Sequence, residues 1–251
     1  MQRYRRLLLQ GIAAALFLAV APASADVWAI SGYGGWNGSF NSDVHFTGPG
    51  TDWTVRDVPW DGVSFAKDGG APYYGYRVTY WPSAWRNVGI AIDYTHAKIR
   101  AQRNATVSYS GTINGGSLPP SGSDTVSNLF DVLEFTDGLS LITLNGIYGL
   151  QRVGVFHPYV GAGVGISIPH VEVTGHGPAV PFPRTFAYEF GGPAVQALVG
   201  VDVDVTSHLS LFGEYKLSWT TVNSGMTGGD RIHTNVTTNH LLVGATLKFG
   251  H

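Results

Sequence analysis

The chain has 251 residues, no cysteine and 13% charged residues, with 15 Lys and Arg against 17 Asp and Glu. That excludes a disulfide scaffold, a thiol nucleophile and a Cys-ligated zinc, and the absence of a basic stripe argues against nucleic acid as a partner. Soluble domains carry about a quarter charged residues, yet no segment after the first 25 residues is an apolar run of the ~18 residues a membrane helix needs.

Arg3, Arg5 and Arg6 precede an apolar run over 7–20, followed by Ala23-Ser24-Ala25. A charged start, a short apolar stretch and a small-residue cleavage site predict a signal peptide over 1–25, cleaved after Ala25. The remaining 26–251 would form one domain, mildly acidic once those three Arg are gone.

From there, apolar and polar residues alternate in segments near the ~10 residues of a tilted membrane strand. The alternation predicts strands over 27–39, 73–81, 87–98, 134–149, 158–173, 187–205, 209–221 and 239–249. Short connections over 82–86, 150–157 and 206–208 alternate with longer ones over 40–72, 99–133, 174–186 and 222–238, rich in Gly, Pro, Ser, Thr and Asn. An even strand count with long and short connections at opposite ends predicts an all-β fold, an eight-stranded antiparallel transmembrane β-barrel with long extracellular loops. The cell outer membrane is the expected location and a monomer the expected state. Tyr80, Trp81, Trp85, Tyr148 and Trp219 are placed in the aromatic girdles. A soluble β-sandwich alternates too, but supplies neither the loop asymmetry nor the girdles.

Strand parity locates polar residues. Val88, Ile90, Ile92 and Tyr94 define an outward face that continues to His96 and Lys98. Ile142, Leu144 and Tyr148 put Glu134 outward, Val164, Ile166 and Ile168 lead to His170 and Glu172, and Val195 to Val201 put Glu189 outward. Adjacent strands are ~4.8 Å apart, so these side chains could converge on one ion or head group, although an isolated rim residue is usually only solvated. Imidazoles and carboxylates without thiols suit a divalent first-row metal of unspecified identity. On this reading His96, His170 and Glu172 are metal ligands, Glu134 or Glu189 a catalytic base, and Lys98 a substrate contact toward phosphate. Arg77, Asp93, Gln196, Asp202, Glu214 and Lys216 take lumen parity, where a narrow barrel is filled by side chains.

Other patterns weigh less. His208-Leu209-Ser210 has the look of a hydrolase pair but falls in a periplasmic turn. A lipid deacylase would need Ser beside His at the level of the outer leaflet, and the predicted topology supplies no such pair.

Several of these residues sit in a wider likeness. Pro72-Tyr73-Tyr74-Gly75, Asp93-Tyr94-Thr95-His96-Ala97-Lys98, Leu133-Glu134-Phe135-Thr136-Asp137-Gly138-Leu139, Pro169-His170-Val171-Glu172 and Phe212-Gly213-Glu214-Tyr215-Lys216 resemble the outer-membrane lipid A oxidase family. The resemblance runs from about Trp60 to the C-terminus. Ser140 stands where that family's pattern leads to Asn, and Ala71 where it leads to Pro. The resemblance implies O2-dependent oxidation of the proximal glucosamine of lipid A to 2-aminogluconate. It further implies release of hydrogen peroxide, a divalent metal, and lipopolysaccharide of the outer leaflet as partner. The alternative is a non-catalytic small envelope barrel acting as a surface-interaction or structural protein; a lipid A deacylase is a weaker one.

Overall fold

The computed structural model describes residues 26–62, 73–85 and 87–250. The predicted signal peptide, with Pro72 and Ala71, lies outside the described residues. In chain order the strands are β1 (Val27–Ser39), β2 (Ser42–Gly48), β3 (Thr51–Val58), β4 (Trp60–Gly62), β5 (Tyr74–Trp81), β6 (Val88–Ala101), β7 (Thr106–Thr112) and β8 (Ser121–Thr125). They continue with β9 (Phe130–Gly149), β10 (Phe156–Gly175), β11 (Thr185–Tyr188), β12 (Gly192–Asp204), β13 (Leu209–Gly225) and β14 (Arg231–Phe249). A single helical turn, α1 (Val126–Leu129), precedes β9.

Eight strands close an antiparallel ring in the order β1, β5, β6, β9, β10, β12, β13, β14. The seam joins β1 to β14 over a ladder from Trp28 opposite Phe249 to Ser39 opposite Thr238. Exposed Leu211, Tyr215 and Trp219 alternate along β13 with buried Ser210, Phe212, Glu214, Lys216 and Ser218. An apolar outside and a polar inside, closed so that no edge is left in the ring, is the construction of a transmembrane barrel. The eight-stranded all-β barrel predicted from alternation is therefore the fold observed.

The strands run further outward than alternation suggested. β13 and β14 continue through most of the predicted long loop 222–238, with residues 226–230 as the turn. Segments of the other loops extend the wall. β2 takes over from β1 beside β14 at Val44–Thr47; β4 takes over from β5 beside β6; β11 takes over from β12 beside β10. From β2 the sheet continues outward through β3, β7 and β8. The predicted sixth strand, 187–205, is thus two strands interrupted at 189–191.

Side chains fill the interior. At the extracellular end Phe46, Trp53, Phe130 and Phe182 pack with ring centroids 4.9–6.2 Å apart. Below them lies an ionic layer. Arg77 donates to both Glu214 oxygens (2.7 and 2.8 Å) and through Nε to Asp93 (2.7 Å). Lys216 reaches Asp93, Thr95 and Tyr33, while the Tyr33 and Tyr159 hydroxyls donate to Asp93 and Glu214. The lumen parity assigned to Arg77, Asp93, Gln196 and Glu214 holds. One girdle assignment does not: Trp81 shares the parity of Arg77 and Thr79 and packs inward against Ala91, Ile147, Tyr159 and Leu198.

Candidate functional site on the outer wall

β9 carries an irregularity that shapes everything around it. Between the pairs Ala97–Leu139 and Ile99–Phe135, β6 advances two residues while β9 advances four. On the other side, β10 advances three from Pro169 to Glu172 while β9 advances five. The surplus, Thr136-Asp137-Gly138, forms a bulge, which is how a barrel re-aims side chains near its rim. Gly138 has φ +134°, and a Cβ there would lie 2.3 Å from His96 Cε1 and 3.1 Å from Ser140 Oγ. Only glycine accommodates both the backbone and the crowding.

The bulge folds onto β10. The Asp137 N–H donates to Glu172 Oε1 (2.8 Å), and so does the Thr136 hydroxyl (3.3 Å). His170 Nδ1 lies 3.2 Å from the same oxygen and 3.9 Å from Asp137 Oδ2. Asp137, His170 and Glu172 each offer a ligand atom, and these atoms lie within 4.8 Å of one another. Two oxygen donors and one imidazole nitrogen at that spacing fit a divalent cation. Phe186 and Tyr188 of β11 meet the His170 ring edge-on at 4.3 and 4.6 Å and limit how it can turn. The Tyr188 hydroxyl donates to the Asp137 carbonyl (2.8 Å).

The predicted residues divide. His170 and Glu172 come together and bring Asp137, which the sequence reading did not select; alternation gives residue 137 the parity of lumen-facing Leu139 and Leu141, and only the bulge turns it outward. His96 is not in the three-donor group. It faces Ser140, directly opposite on β9, with Nδ1 3.2 Å from Ser140 Oγ and 3.3 Å from the Tyr94 hydroxyl. The Tyr74 ring stacks on it at 4.7 Å. Lys98 turns into the wall and donates to the Thr136 carbonyl, with the carboxylates of Asp137, Glu172 and Glu134 around it.

Glu134 sits opposite Glu172 across the β9–β10 ladder, extracellular of the bulge and of the lipid-facing column that begins at Ile142. Burial, and then the neighbouring Glu172 charge, raise its carboxyl above the usual range. Glu189 lies in the break between β11 and β12, where its backbone N–H donates to the Pro169 carbonyl (3.0 Å); it belongs to neither strand, so alternation does not set its direction. The rim is hydrated only in part: His96, Lys98, His170 and Glu172 are buried, between 3% and 7% exposed, whereas Glu134 and Glu189 are half-buried and Asp137 is exposed. Ser210 is buried and donates to Asp202, while His208 meets Ser207 at the surface.

No family model matches the sequence, and neither does any curated protein. Among solved structures, the chain is similar to the outer membrane protein OprG of Pseudomonas aeruginosa, at 12% identity and TM-score 0.47, over 91% of this chain and 98% of that one. It is similar to Neisserial surface protein A at 14% identity and TM-score 0.40, over 90% and 97%. For the outer membrane protein AlkL in lipid bilayers the values are 17% and 0.42, over 92% and 93%. At these identities the likenesses concern overall shape and say nothing of activity.

Proposed function

We propose that this membrane-embedded barrel modifies outer-leaflet lipid at the outer face of its wall, using a divalent metal, and that its reaction is the oxidation of the proximal glucosamine of lipid A to 2-aminogluconate. The observation that carries this reading is the convergence of Asp137, His170 and Glu172 on the outside of the barrel, beside the upper ends of lipid-facing columns, instead of in the lumen. A divalent cation held there would supply positive charge to orient an oxygen-rich head group and dioxygen.

The remaining roles belong to the chain. Thr136 and the Asp137 N–H fix the Glu172 carboxylate, and Phe186 with Tyr188 fix the His170 ring. Lys98, together with Arg100 opposite Glu134, offsets part of the charge of the three carboxylates. Glu134, with its raised pKa and half-buried position, suits a base toward the anomeric hydroxyl. The anomeric carbon gives up two electrons with its hydrogen, the hydroxyl gives up a proton, and dioxygen takes them to leave as hydrogen peroxide. Water opens the resulting lactone, so the lipid gains one oxygen overall.

The test is mass spectrometry of lipid A from an aerobic host lacking such activity, expressing the wild type or His170→Ala with divalent metal present. A gain of one oxygen mass that vanishes in the variant supports the oxidase; an unchanged wild-type profile counts against it. The second reading is a non-catalytic envelope barrel presenting a rigid extracellular sheet. It is favoured by the aromatic packing of Phe46, Trp53, Phe130 and Phe182 that stabilises that sheet, and an unmodified lipid A would leave it standing.

A further inference from the structure

The His96 and Ser140 pair is absorbed by neither reading. Their Cα positions are directly opposed on β6 and β9, and direct cross-strand neighbours hold their side chains ~5 Å apart at Cβ. Three polar atoms close a triangle: His96 Nδ1 to Ser140 Oγ 3.2 Å, His96 Nδ1 to Tyr94 Oη 3.3 Å, and Tyr94 Oη to Ser140 Oγ 3.2 Å. Ser140 and His96 are each 5% exposed. Against this triangle stands Gly138, where a Cβ would crowd both Ser140 Oγ and the His96 ring.

The same ladder continues toward the periplasm as Tyr94–Ile142, Ile92–Leu144, Ile90–Gly146 and Val88–Tyr148. Ile92 and Leu144 are among the more exposed apolar residues, at 60% and 56%, and nothing lies within 4 Å of where a Gly146 Cβ would be. An apolar track therefore runs along the outer wall and ends, at its extracellular end, on the Ser–His–Tyr triangle. An acyl chain lying along that track would carry its ester to the level of Ser140.

We propose that Ser140 is a nucleophile, activated by His96, that hydrolyses an acyl ester of an outer-leaflet lipid. Ser140 Oγ attacks the ester carbonyl as its proton passes to His96 Nδ1. The Tyr94 hydroxyl, within hydrogen-bond reach of Ser140 Oγ, is the available donor for the carbonyl oxygen as it gains charge. The carbon–oxygen bond to the lipid alcohol breaks, and the alcohol leaves with the proton from His96. Water, deprotonated by His96, then cleaves the Ser140 acyl ester and frees a fatty acid. Nothing beyond water is consumed, so the activity is independent of the metal reading.

The test uses the full mature chain folded in detergent. A fluorophosphonate probe should form a covalent adduct that peptide mass spectrometry places on Ser140 and that is lost in Ser140→Ala. Mixed micelles of phospholipid or of lipid A should release free fatty acid, falling about 100-fold or more in Ser140→Ala and in His96→Gln; whichever micelle responds identifies the source of the ester. A chelator should leave this release intact, whereas it should abolish any one-oxygen product, so the two activities fail separately. Should Ser140→Ala not fold, the site of probe attachment on the wild type decides. Absence of both adduct and fatty acid with the wild type, or release that persists in a folded Ser140→Ala, overturns the proposal.

Discussion

Two clusters of charge sit a few strands apart in this barrel, one wholly buried and the other reaching the surface at Asp137, and they are built on opposite principles. In the lumen, Arg77, Asp93, Glu214 and Lys216 are fully buried and each charge meets an opposite one at 2.6–3.2 Å. On the outer wall, the carboxylates of Glu134, Asp137 and Glu172 stand around Lys98, which donates to a backbone carbonyl, and Arg100 lies opposite Glu134 on β6 and favours its charged form. A closed set of pairs satisfies its own desolvation cost and needs nothing from outside. The outer group instead sets one ligand atom each of Asp137, His170 and Glu172 within 4.8 Å of one another, a spacing that a cation would fit. The difference teaches that burial of charge by itself says little in a barrel; how the partners are arranged around it says more.

The largest way to break the comparison is in the lumen. Arg77→Met leaves two buried carboxylates short of their cation and should cost about 3–5 kcal/mol, measured as a shift in urea unfolding of the detergent-folded barrel. Next is Gly138→Ala, which forces a side chain into a glycine-only backbone region and against His96; about 1–3 kcal/mol is expected by the same measurement, together with weakened divalent-metal binding. Smaller in stability, yet decisive for function, is Glu172→Gln. It removes one carboxylate charge while preserving an acceptor for the Asp137 N–H, so stability should fall by about 1 kcal/mol, while metal affinity by isothermal titration falls about 100-fold. If stability instead falls as far as in Arg77→Met, the two clusters are not different in kind.

The smallest effect is at the periplasmic end. Asp26 accepts from the Ser83 N–H (2.9 Å) and the Tyr80 hydroxyl (2.6 Å), and the first of these most of all holds its carboxyl below the ordinary range. Its contribution is complete above the ordinary carboxylate pKa and is lost as pH falls through the lowered one. The Ser83 amide resonance should therefore move as acid is added, and should stay still in Asp26→Asn.

Much of the barrel is legible in the sequence because period-two alternation is the direct imprint of a wall with lipid on one side and packed polar side chains on the other. That is why β6, β13 and the inward course of Arg77, Asp93 and Glu214 follow from parity. The extracellular extension is not legible in the same way. β7 reads Thr-Val-Ser-Tyr-Ser-Gly-Thr and β8 Ser-Gly-Ser-Asp-Thr, compositions equally suited to a loop; β7 is a strand because β3 lies beside it, and β8 because β7 does. Trp81 lies inside because strand parity, which it shares with Arg77 and Thr79, decides its direction over its aromatic type. Within the site, His170 and Glu172 were visible as a strand-end pair, but Asp137 was hidden by a bulge whose glycine looks like any turn glycine. Ser140 was visible only as an unusual residue; its meaning depends on a register that places it opposite a histidine 44 positions earlier.

The seam between β1 and β14 bears on how the molecule is made. The first strand of the ring finds its second neighbour only in the last, so the wall stays open along one side until every intervening hairpin exists. Contacts of such sequence separation form slowly, and during that wait β1 and β14 each expose an unsatisfied row of backbone donors and acceptors. Completion of the barrel is thus a single late event, and a chain halted before β14 has no partial version of the closed form to settle into.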